Sequence, residues 1–284
     1  MGRKCGPWEQ APIARVMPLF SDVSTVLAGV LAIAAVVAIG IFAFTRFRRA
    51  RRDLSAAAGD TLPPRPEFYD PDMPPAAPGA AAQRALRSLS YVVFDTETTG
   101  LRPSLGDEIV AIAGVRVIDG RVDASDTFNR LVNPGRGIPK QSTRFHGITD
   151  DMVRHEPPLA VVLPQFKAFI GDSVLVAHNA AFDMKFLKMK EAELAIRFDN
   201  PVLDTLLISA FLFDTSQDHS LDAVLGRFDI PALGRHTALG DALATAAAFI
   251  RLIEILEDRG IGTFERLLRV SNMAMEVRVR QARF

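Results

Sequence analysis

The spacing of apolar and polar positions changes character twice along the 284 residues. Between Asp22 and Arg46 lie 23 residues without a charge (23–45), dominated by Ala, Val, Ile and Leu. A helix of that length is about 34 Å long, enough for a hydrocarbon core of roughly 30 Å. A buried helix of a soluble domain would show a polar stripe or a shorter apolar run, and neither is present. The pattern predicts one transmembrane helix over 23–45, after an N-terminal tail over 1–22.

Residues 46–88 are polar and irregular. Arg46, Arg48, Arg49, Arg51 and Arg52 follow the apolar run directly, whereas Arg3, Lys4 and Arg15 are diluted by Glu9 and Asp22 on its other side. The positive-inside rule then places the N-terminus outside and everything after residue 46 in the cytoplasm, a single-pass arrangement in the cytoplasmic (inner) membrane. A cleavable signal peptide fits poorly, because the run is long, begins late and has no small-residue cleavage site before the arginines. Met17 is an alternative start to Met1, and starting there leaves an almost uncharged outer tail. Seven prolines fall between Pro63 and Pro78 among alanine-rich stretches, so this segment reads as an extended, semi-rigid linker.

From Tyr91 onward two periods alternate. Strands are predicted at 91–94, 108–118, 128–132, 173–177 and 201–203. Helices are predicted at 180–194, with Phe182, Phe186, Leu187 and Leu194 at helical spacing, and at about 238–257, with Leu243, Ala247, Ile250, Ile253 and Leu256 on one stripe. Strands first, then strand–helix alternation, indicate an α/β domain on a mixed sheet, placed at 89–258 with a C-terminal helix or tail at 259–284.

Composition narrows the chemistry. One cysteine forms no intrachain disulfide and no Cys-based zinc site. The net charge of zero hides an asymmetry: residues 1–87 carry 11 cationic and 7 anionic side chains, residues 88–284 carry 22 and 26. A net-acidic larger part argues against holding nucleic acid mainly through a broad basic surface. Holding phosphate through metal ions remains open.

Three segments carry candidate chemistry. In FDTETTG (94–100), Asp95 and Glu97 are two apart on a strand, so both carboxylates point to one face. Such a pair repels unless one group is protonated or a cation intervenes, and Thr98, Thr99 and Gly100 form a turn where backbone can approach a ligand. In VAHNAAFDMKFL (176–187), Asn179 is a candidate N-cap and Asp183 lies in the first helical turn, where it also serves simply to complement the helix dipole. In RHTALGDA (235–242), His236 precedes Asp241 by five positions, an arrangement suited to a general base beside a metal-ligating carboxylate. His178 precedes Asp183 by the same five, so spacing alone does not choose between the two histidines. His146 is read as a turn residue near the cleft, His155 and His219 as surface or capping residues, Asp204 and Asp222 as caps. Phe182, Phe186 and Phe249 are read as core.

These three motifs, in this order, resemble the DEDDh (DnaQ-like) 3′–5′ exonucleases, the family of the proofreading epsilon subunit of bacterial DNA polymerase III. LVNPGRGIP (131–139) and FHGITDDM (145–152) add to the resemblance. It implies an RNase H-like fold, a five-stranded mixed sheet flanked by helices, here preceded by the transmembrane helix. It implies two divalent cations, Mg²⁺ or Mn²⁺, the first held by Asp95, Glu97 and Asp241 and the second by Asp95 with Asp183; four carboxylates balance the charge of two such ions. It implies that His236 takes a proton from the attacking water, that the product is a nucleoside 5′-monophosphate, and that Thr98, Gly100 and Leu101 contact the terminal nucleotide. The family pattern sets the base before the last carboxylate, leaving His178 to order the strand–helix turn and, with Asn179, to line the substrate-binding site. The Tyr subclass is disfavoured, because Thr237 stands at its base position.

The expected substrates are 3′ ends of single-stranded DNA or RNA, and a homodimer is possible. A polymerase or clamp partner is not expected: about 26 residues follow Asp258, without a convincing clamp-binding peptide, and a membrane anchor suits a travelling replisome poorly. Arg278, Arg280 and Arg283 read as a solvated tail sooner than as phosphate contacts. A non-catalytic, tethered nucleic-acid-binding module is the third alternative, and it is disfavoured because Asp95, Glu97, Asp183, His236 and Asp241 are all in place.

Overall fold

The chain divides into two units, residues 1–64 and 65–284. The computed structural model describes residues 82–213 and 218–282, with side chains described through residue 273. The expected transmembrane helix at 23–45, and the side chains of Arg278, Arg280 and Arg283, lie outside what is described. Among the described residues no helix is long and apolar enough to cross a membrane.

Five strands form one sheet: β1 (Tyr91–Thr98), β2 (Ile109–Ile118), β3 (Arg121–Leu131), β4 (Val174–Ala177) and β5 (Val202–Asp204), in the order β3-β2-β1-β4-β5. β1, β2 and β3 are joined antiparallel, while β4 and β5 run parallel to β1. This is the five-stranded mixed sheet that was expected. The helices are α1 (Lys140–His146), α2 (Asp150–Val153), α3 (Leu159–Ile170), α4 (Ala180–Met189), α5 (Glu191–Leu194), α6 (Thr205–Phe213), α7 (Leu221–Arg227), α8 (Ala238–Asp258) and α9 (Phe264–Ala282).

The alternation of β1 divides the core. Tyr91 and Val93 face α8 and α9, where they join Val174, Val176, Phe249, Leu252, Phe264 and Leu267. Val92 and Phe94 face the other way, onto α3 and α4 with Val162, Phe166, Met184 and Leu187. A sheet covered by helices on both faces needs central strands that are apolar on both sides, which is why β1, β2 and β4 read as near-continuous apolar runs.

Several local expectations change. β1 runs four residues beyond Phe94 and so contains Asp95 and Glu97. β3 begins at Arg121; its first half is an exposed edge rich in polar residues and shows no apolar alternation. The helix expected over 180–194 breaks at Lys190 into α4 and α5. In α8 the deeply buried stripe is Ala242, Ala246, Phe249, Leu252 and Leu256, while Leu243 and Ile250 sit at its margin. Residues 85–88, expected in the linker, pack against the α8–α9 turn: Ala85 bridges Thr263, and Leu86 is buried.

Candidate active site

The far end of β1 is acidic for a reason visible in its partner. Asp95 pairs with Ala113 of β2 and Glu97 with Ala111. Methyl side chains at both positions, with Ala238 at the start of α8, leave room on that face for carboxylates. The loop into α8 is tight. Thr237 caps the helix by accepting from the Gly240 amide at 3.1 Å. A Cβ at Gly240 would stand 1.9 Å from the Gly234 carbonyl oxygen, so only glycine permits this close approach. The result sets Asp241 in the first turn of α8, buried, over β1. Asp95, Glu97 and Asp241 each offer an oxygen, and these oxygens lie within 4.8 Å of one another.

Burial raises the Asp95 pKa well above the usual carboxylate range, and the charges of Asp183, Glu97 and Asp241 push it the same way. Burial first, then Asp241 and Asp183, push Glu97 up to about 8. Asp183 reaches the cluster from the other face of the sheet and is not within the trio's spacing. Its Oδ1 accepts from the Thr96 hydroxyl at 2.5 Å and the Thr96 amide at 3.0 Å. Burial pushes Asp183 up to about 7, and the two Thr96 bonds oppose the rise. Crowded carboxylates that resist ionisation accept a cation readily, and an all-oxygen donor set fits a hard divalent ion.

His236 lies just before this cap in a left-handed conformation (φ 62°), and its amide donates to Asp241 Oδ1 at 3.2 Å. Its ring rests on the exposed Phe145 ring, centroids 4.5 Å apart. Arg235 sits beside it, pairing through Nη1 with Asp241 and through Nε with Asp222 at 2.7 Å.

The turn after β1 is held by Asp107. Its Oδ1 accepts from the Thr99 hydroxyl at 3.2 Å, and its Oδ2 accepts from the Arg102 amide at 3.0 Å. Its carboxylate fills the space beside Gly100, where a Cβ would come within 2.3 Å of Oδ2. The Thr98 hydroxyl donates to the Gly100 carbonyl at 2.6 Å, and Leu101 is half-buried next to it.

His178 is turned elsewhere. Its Nδ1 and the Thr205 hydroxyl are 2.9 Å apart. Asn179 occupies the N-cap position of α4 in a left-handed conformation (φ 67°), but its side chain makes no cap bond and its Oδ1 is buried without a partner. Asp204, at the end of β5, does the capping, as the sequence suggested, accepting from the amides of Asn179 and Ala180 and from that of Leu206 in α6. Asp222 is not a cap; Ser220 caps α7. His219 is buried against Ser209 rather than on the surface, and His146 is buried at the end of α1, accepting from the Ile148 amide. Sequence reasoning missed Thr96, Asp107 and Arg235. Arg235 alone had a signal, as the only Lys or Arg between Arg227 and Arg251.

The profile of the family described as "RNase_T: Exonuclease" matches residues 92–249. A "DNA polymerase III subunit epsilon-like protein" of Rhodobacter capsulatus is 53% identical over 191 residues, 66% of this chain and 27% of that protein. A "DNA polymerase III PolC-type" of Caldanaerobacter subterraneus is 41% identical over 171 residues, 60% of this chain and 12% of that protein. The chain thus spans about a quarter or less of these relatives. Among solved structures, "Exonuclease X in complex with 5' overhanging duplex DNA" aligns with TM-score 0.51 and 30% identity, over 64% of this chain and 99% of that one.

Proposed function

The chain belongs to the exonuclease family matched over residues 92–249, and from that premise we propose that it is a 3′–5′ exonuclease producing 5′-mononucleotides from single-stranded nucleic acid. The observation that carries the reading is the convergence of Asp95, Glu97 and Asp241 within 4.8 Å, with Asp183 brought to the same strand end by Thr96. Asp95, Glu97 and Asp241 would hold one divalent ion, and Asp95 with Asp183 a second, Mg²⁺ or Mn²⁺. Bound there, such ions neutralise phosphate charge and acidify water. His236 accepts a proton from the attacking water as the water oxygen bonds to phosphorus, the bond from phosphorus to the 3′ oxygen breaks, and that oxygen takes up a proton from solvent. Thr98, Gly100 and Leu101 form the backbone-lined turn that receives the terminal nucleotide, a turn pre-shaped by Asp107.

The same proposal includes an anchor: residues 23–45 cross the cytoplasmic membrane, with the enzyme on the side of the five arginines. Its support is the uncharged length and the asymmetry of charge. A second reading, a proofreading subunit of a replicative polymerase, is supported by the similarity to an epsilon-like protein and to a PolC-type DNA polymerase III. The two separate by whether the chain, extracted from membranes, co-purifies with a polymerase.

The activity is tested with the full chain in detergent, 5′-labelled single-stranded DNA and RNA of one sequence, and Mg²⁺ or Mn²⁺. A ladder shortening from the 3′ end, absent in EDTA and in Asp95→Ala, is expected. No ladder with either ion, or one that persists in Asp95→Ala, overturns the reading.

A further inference from the structure

The Arg235 side chain is 16% exposed and that of Asp241 11%, while Asp222, on α7, is 65% exposed. Asp241 Oδ1 therefore takes two N–H donors, the Arg235 guanidinium and the His236 amide. Among the described residues no donor reaches Oδ2. A ligating carboxylate is commonly fixed in this way, by outer partners on one oxygen. The same guanidinium opposes the rise in pKa of both Asp95 and Glu97.

We propose that Arg235 is a positioning residue for the carboxylate cluster. Held by Asp222, it grips one oxygen of Asp241, presents the other toward Asp95 and Glu97, and supplies counter-charge to the cluster before a divalent ion arrives. The inference rests on the divalent-ion reading of the site given above.

A residue that merely ties α7 to α8 would lower stability equally with and without ions. The proposal requires an unequal effect. The full-length Arg235→Gln protein should melt well below wild type in EDTA and regain most of that difference in Mn²⁺. Its kcat should fall about ten- to a hundredfold, the usual cost of losing an outer partner, with KM within about twofold of wild type. Arg235→Lys keeps the charge but not the planar fork, so it should melt near wild type in EDTA and still lose kcat. Asp222→Asn should shift both quantities in the direction of Arg235→Gln, by less. Equal loss of melting temperature in EDTA and in Mn²⁺, or a kcat within about twofold of wild type, overturns the role of Arg235. A wild-type protein with no Mn²⁺-dependent melting shift and no turnover overturns the ion reading itself, and the role of Arg235 with it.

Discussion

The entrances to α4 and α8 share a plan and differ in what surrounds them. Each has a histidine five positions before a buried aspartate, His178 before Asp183 and His236 before Asp241, and each passes through a left-handed residue, Asn179 in one and His236 itself in the other. At α4, His178 is bonded to Thr205, the helix is capped by Asp204 from β5, and Asp183 is gripped by Thr96 of β1. At α8, the histidine ring rests on an exposed phenylalanine, the cap is local, and the aspartate is gripped by an arginine. One entrance is tied into the protein by neutral hydroxyls and a capping carboxylate. The other sets its histidine ring against an exposed phenylalanine. Identical spacing therefore stands in different surroundings.

The comparison yields tests in order of size. Asp95 serves both entrances, so Asp95→Ala, or chelation of divalent ions, should remove turnover altogether; residual turnover above a few percent of wild type would break the shared-site account. Thr96→Val removes a hydroxyl from Asp183 and should lower kcat about tenfold, within the range for outer partners of a ligand, as read by steady-state kinetics at saturating Mg²⁺.

Without ions, the raised carboxylates make stability depend on pH. A folded-state pKa above the unfolded value means that the folded chain binds the proton more tightly, so stability is present in full at low pH and lost as pH rises. For Glu97 the loss runs from 4.5 to about 8, and for Asp183 from 3.8 to about 7. The melting temperature in EDTA should fall across that window, and Mg²⁺ or Mn²⁺ should flatten the fall. The smallest effect belongs to Thr205→Val, which removes the partner of His178: a loss of about 1 kcal/mol in chemical denaturation, with turnover little changed.

Much of the sheet was legible because its strands are apolar on both faces, and α8 because it is long and periodic. α6 (TLLISAFLF) was legible only as an unbounded run behind the cap Asp204: seven of its nine residues are buried, so no polar face marks its period. Asp95, Glu97 and Asp241 could be named from their spacing because a strand and a helix start impose simple geometry. Thr96 and Asp107 could not: Thr96 meets Asp183 across 87 positions, and Asp107 meets Thr99 and Arg102 only through the particular path of the turn between them. Asn179 shows the converse error: a good capping residue in the capping position, displaced from the task by the stronger acceptor Asp204.

The most direct test of the central claim, that packing rather than spacing selects the base, sets His236→Ala beside His178→Ala in the full-length protein. Rates are measured on one labelled single strand at saturating Mg²⁺. The account predicts a kcat lower by about 10²- to 10⁴-fold for His236→Ala, the usual contribution of a general base, and a change under about tenfold for His178→Ala. Near-normal turnover by His236→Ala, or the larger loss in His178→Ala, would contradict it.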